Sequence, residues 1–122
     1  MKLKRVALAM LLLTASPASA QEVRVMLNDE GEDACSVGVM HKLGDGYTSL
    51  RAGPGTQYAR IHRMYEGVQV SICDEKGRWY GIVFGGDECV GGSPKAKTQN
   101  GPYSGPCKSG WAKKGFVTSI AG

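Results

Sequence analysis

Histidine is scarce in this sequence, with only His41 and His62 among 122 residues, and no two of the four cysteines are close neighbours. Both shortages narrow the chemistry. Zinc sites built on cysteine use close pairs such as Cys-x-x-Cys, whereas Cys35, Cys73, Cys89 and Cys107 follow one another at separations of 38, 16 and 18 residues. A cysteine nucleophile needs an imidazole beside it, and a lone histidine on a strand is ordinarily a packing or surface residue. The carboxylates Asp74-Glu75 and Asp87-Glu88 are sequence neighbours on turns, where solvation is the default and no paired acid and base is set up. No catalytic residue, metal ligand or cofactor is expected.

Long apolar runs are lacking too. The longest covers residues 6–13, far short of the roughly 20 apolar residues of a spanning helix. Lys2, Lys4 and Arg5 precede it, and Ser16-Pro17-Ala18-Ser19-Ala20 supplies an Ala-x-Ala end. Residues 1–20 therefore read as a signal peptide cleaved between Ala20 and Gln21, giving a periplasmic or secreted product. No cysteine stands at the cleavage point, so neither lipidation nor stable membrane insertion is expected. Net charge is small once that segment is removed. Three of the 15 basic residues leave with it, and 12 remain against 11 acids, a net of +1. Nothing here asks for nucleic acid.

A sustained helical period is also missing, and 18 glycines argue for turns. What is present is strand after strand. Val68, Val70 and Ile72 alternate with Gln69, Ser71 and Cys73, and Trp79-Tyr80-Gly81-Ile82-Val83-Phe84 follows the turn signal Asp74-Glu75-Lys76-Gly77. That pattern predicts a hairpin with a four-residue loop. Weaker strands fall at 36–41, 47–50 and 59–64. Residues 21–34 read as an acidic N-terminal arm, possessing a short edge strand around Val23, Val25 and Leu27 and an irregular second half. Residues 35–122 form the domain proper, interrupted at 85–109 by a Gly/Pro-rich stretch with little to bury.

All four cysteines lie beyond residue 20, and an even number in an oxidising compartment reads as two disulfides. Cys89 and Cys107 bracket the long stretch, so they are expected to pair. Cys73 falls on the face opposite Val70 and Ile72, where it can hold Cys35 of a segment laid over the sheet.

Leu50-Arg51-Ala52-Gly53-Pro54-Gly55-Thr56 resembles the signature of bacterial SH3 domains. The family's later landmarks follow in order at Gly67-Val68-Gln69-Val70, Gly77-Arg78-Trp79-Tyr80, Gly110-Trp111-Ala112 and Phe116-Val117. The resemblance implies an all-β fold: a small, partly open SH3-like barrel of five or six strands, closed by one helical turn around 114–117. The N-terminal extension and the long stapled loop at 85–109 are departures from the family pattern.

The resemblance also implies non-catalytic binding in the cell envelope, with cell-wall peptide, peptidoglycan or an envelope protein segment as partner. A secreted inhibitor that blocks an enzyme through the disulfide-held loop is the alternative; oligomeric state stays open. Trp79 and Trp111 are candidates for either core or binding surface. Tyr58 and Tyr103, set among Gly, Pro and polar residues, are candidates for the surface. Arg51 is a candidate carboxylate contact or a brace for the loop that follows it. Gly53 and Gly55 are expected to supply positive φ beside Pro54. Charge is segregated, with five lysines and no acid from residue 95 onward and five acids against one base over 22–33. The basic part either meets an anionic partner or lies under the acidic arm.

Overall fold

The strands expected from alternation form, and they are joined by others. The computed structural model describes residues 22–121, so the expected signal peptide lies outside the described residues. Nine strands are present among the described residues: β1 (Met26–Asn28), β2 (Ser36–Met40), β3 (Tyr47–Arg51), β4 (Arg60–Tyr65), β5 (Gln69–Lys76), β6 (Trp79–Phe84), β7 (Asn100–Pro102), β8 (Lys108–Lys113) and β9 (Val117–Ala121). Asp87–Cys89 and Lys114–Phe116 are single turns of 3-10 helix.

Seven strands make one antiparallel sheet in the order β4-β3-β8-β6-β5-β2-β9, and β1 pairs with β7 in a separate ribbon. The end strands β4 and β9 do not pair with each other, so the barrel is partly open. The strand count exceeds the five or six that the resemblance implied, because β2 inserts between β5 and β9. The hairpin loop is also shorter than expected. β5 runs on to Lys76, which pairs with Trp79, leaving only Gly77 and Arg78 to turn the chain. Gly77 takes φ 59°, a left-handed value that glycine adopts without a Cβ penalty.

Two apolar clusters lie on opposite faces of the sheet. The inner one contains Met40, Leu50, Met64, Val70, Ile82, Phe84, Ala112 and Val117. The outer one joins Val83 and Trp111 to Val25 and Leu27 of the N-terminal arm and to Cys35 just after it, with Ala96, Tyr103 and Cys107 of the 85–109 stretch packed against it. Residues 81–84 of β6 are all buried for this reason; a strand covered on both faces reads as an unbroken apolar run rather than an alternation.

This layer corrects the expectation that 85–109 has little to bury. Pro94 and Cys89 are among the fully buried side chains, and the stretch supplies β7 to pair with the arm. Ser71 is its hidden anchor. The buried hydroxyl lies 2.8 Å from the carbonyl oxygen of Cys89 and 3.0 Å from that of Gly91, and accepts the Gly91 N–H at 2.9 Å. The disulfides are Cys35–Cys73 and Cys89–Cys107, the expected pairing. The register of β5 shifts between Ile72 and Asp74, leaving Cys73 without a cross-strand partner, a bulge at the residue that holds the arm. Cys73 faces away from the barrel interior, as expected, and there it holds Cys35 and the segment that covers the sheet.

Candidate functional site

A largely apolar cleft lies where three connections meet. It is lined by Gly55, Thr56 and Gln57 of the loop after β3, by Gly77, Arg78 and Trp79 at the β5–β6 turn, and by residues 113–116 between β8 and β9, with a volume of about 830 Å³. Cross-strand pairing of Trp79 with Lys113 sets two of these walls against each other, and the Lys114 N–H bonds the Arg78 carbonyl at 2.9 Å.

The first wall is held rigidly by its own residues. One guanidinium nitrogen of Arg51 donates to the carbonyl oxygens of Thr56 at 3.0 Å and Tyr58 at 2.9 Å. Ala52 N–H bonds the Ala59 carbonyl at 2.9 Å, closing the base of the loop. Arg51 is thus the brace of the loop. Gly53 and Gly55 do not take positive φ, contrary to expectation. Gly53 is needed for space, since the Tyr58 ring occupies the position a side chain would fill.

Charge in the cleft is one-signed. Arg78, Lys113 and Lys114 line it, with no carboxylate among the lining residues. Lys114 is committed, because its ammonium pairs with Glu75 and lies 5.2 Å from the Tyr80 ring centroid. Arg78 and Lys113 are exposed and form no ion pair among the described residues. Trp79 and Phe116 supply half-buried aromatic surface between these cations. The site can therefore hold an apolar or backbone surface against the rings while setting cations beside an anionic group.

Of the residues singled out in the sequence, Trp79 lines the cleft and Arg51 and Tyr58 build its wall. Trp111 is 1% exposed in the outer cluster and offers no surface to a ligand. Tyr103 is turned inward as a brace. Its hydroxyl donates to the Lys95 carbonyl at 2.6 Å and accepts from the Cys107 N–H at 2.9 Å. Arg78, Lys113 and Phe116 were not singled out as ligand contacts; the signal for them was their place beside Trp79 and in the closing turn.

The cysteines, His62 and Asp74 each have a partner within the fold. All four cysteines are in disulfides. His62 stands edge-on to Phe84 at 5.8 Å between ring centroids. Asp74 accepts the Met26 N–H at 2.9 Å and the Glu75 N–H at 2.8 Å. Among the described residues no helix is long and apolar enough to cross a membrane.

The family model described as bacterial SH3 domain matches residues 46–118. No curated protein and no solved structure matches the chain.

Proposed function

From the premise that this chain belongs to the bacterial SH3 domain family, we propose that it is a non-catalytic recognition module of the cell envelope that binds cell-wall peptide in the Trp79–Phe116 cleft. Bacterial SH3 domains are typically binding modules, often for cell-wall components. The observation that carries the reading is the one-signed, aromatic-floored cleft between a braced loop and the closing turn. Cell-wall stem peptides are extended and carry carboxylates, which suits rings flanked by the unpaired Arg78 and Lys113. Two disulfides fit an oxidising compartment, consistent with export by a signal peptide over residues 1–20, an acidic arm at 21–34 and the domain proper at 35–122.

Sedimentation with purified sacculi tests this. The mature protein is expected to co-sediment, and Trp79→Ala to reduce the bound fraction by about tenfold, the cost of one lost aromatic contact. Stoichiometric capture of a soluble enzyme, with no sacculus binding, would instead favour the inhibitor reading.

A further inference from the structure

The β4 edge of the sheet carries a second cluster of aromatic and cationic side chains, and none of its residues lines the Trp79–Phe116 cleft. Among the described residues β4 pairs only with β3, and no strand lies beside the other side of its backbone. Tyr47 and Tyr65 are directly opposed across β3 and β4, with ring centroids 6.0 Å apart, and they are 46% and 47% exposed. The Arg63 guanidinium carbon stands 4.5 Å from the Tyr47 ring centroid, a stacked position that fixes an otherwise flexible side chain. Arg60, Arg63 and His62 line a shallow cleft of about 370 Å³ with Tyr47, Ser49 and Ile61, and no carboxylate borders it. Neither arginine forms an ion pair among the described residues.

We propose that this edge is a docking surface for an extended, acidic segment of a partner protein, laid alongside β4 as an added strand. An open edge offers main-chain donors and acceptors to such a segment, and sign decides what uses them. Cations on an edge strand repel a second copy of the same strand, so self-pairing through β4 is disfavoured. A strand bearing carboxylates gains from the same two arginines, which hold carboxylates in charge-assisted pairs. The exposed tyrosines extend the contact at the far end of the strand pair, with large area at low entropic cost.

The test uses the mature, disulfide-bonded protein and two synthetic peptides, one of alternating Thr and Glu, the other of alternating Thr and Lys. Amide shifts in two-dimensional NMR are expected to move along β4 with the Glu peptide and not with the Lys peptide. The double variant R60E/R63E is expected to weaken Glu-peptide binding by about tenfold or more. The charge-matched K76E/K97E, on other parts of the surface, should leave it unchanged. Should R60E/R63E lose its near-ultraviolet dichroism, R60Q/R63Q replaces it with the same expectation. Equal weakening by both charge variants, shifts confined to the Trp79–Phe116 cleft, equal binding of the Lys peptide, or no binding of the Glu peptide would each overturn the proposal.

Discussion

Tyr58 lies against Gly53 so closely that a Cβ on that glycine would sit 2.5 Å from the ring's Cδ1 atom. The contact folds the loop after β3 back on itself, while Arg51 secures the same loop through the Thr56 and Tyr58 carbonyls. Backbone and ring are therefore interlocked at the wall of the candidate site. Gly53→Ala must push the ring away, and overpacking of this kind destabilises by about 1–3 kcal/mol. Thermal unfolding should show that loss, and ligand binding in the adjacent cleft should weaken with it. A variant as stable as the parent would mean that the ring has free space to move into.

The two disulfides should differ in what they protect. Closing 38 residues constrains the unfolded chain more than closing 18, about 4 against about 3 kcal/mol in the chain-entropy model. Cys35→Ser with Cys73→Ser is expected to cost more stability in denaturant unfolding than Cys89→Ser with Cys107→Ser. Mass spectrometry of the unreduced parent after alkylation should find no adduct.

The barrel was legible in the sequence and its covering layer only in part, for a physical reason. Alternation in β5 and the aromatic, β-branched run of β6 report burial directly. The arm buries Val25 and Leu27 and half-buries Val23 and Ala34, and the 85–109 stretch contributes buried groups singly, as Cys89, Pro94 and the inward edge of Tyr103. The arm's alternation at Val23, Val25 and Leu27 is short and the 85–109 stretch has none, because each buries its side chains against the other and the outer face of β5, β6 and β8. The unbroken run of β6, with Trp111 beside it, was the one signal that both faces are covered. At the candidate site, Trp79 and Arg51 could be picked out. The cations Arg78 and Lys113 were not, since exposed lysine and arginine are the ordinary surface and only their place beside Trp79 and the closing turn marks them.

His62 gives the domain a mild sensitivity to acid. Its pKa is held below the usual histidine value, chiefly by burial and further by the nearby Lys108 ammonium. Below about pH 6.5 the unfolded chain takes up a proton at this position that the folded protein resists. The stability tied to neutral His62 is therefore present above that pH, falls as pH drops through the range between the unfolded and folded values, and then levels off. The melting temperature should fall slightly between about pH 7.5 and about pH 5.5, by less in His62→Gln. An identical fall in the variant would assign the effect to other groups.

Shortening the 85–109 stretch tests whether it is ornament or structure. A surface insertion with its own staple can ordinarily be replaced without harm, since loop length adds little closure cost. Here the arrangement argues otherwise. Replacing residues 90–106 with a short Gly/Ser link, and removing Cys89 and Cys107 together, deletes β7 and so strips β1 of its pairing. It also takes Pro94, Ala96 and Tyr103 away and leaves Ser71 without the Gly91 carbonyl and N–H groups it bonds. The outer cluster then loses its lid, and Trp111, Val83, Val25 and Leu27, all at most 1% exposed in the parent, come into reach of water. Exposing a large apolar side chain costs about 1.5–3 kcal/mol. Losing even half of that burial at each of the four would remove about 3–6 kcal/mol from a domain whose total is of order 5–15. The shortened protein is expected to unfold at markedly lower denaturant and to shift its tryptophan emission to the red under native conditions. If it keeps the parent's emission and midpoint, the barrel stands without its covering layer, and Trp111 is sheltered by the sheet itself.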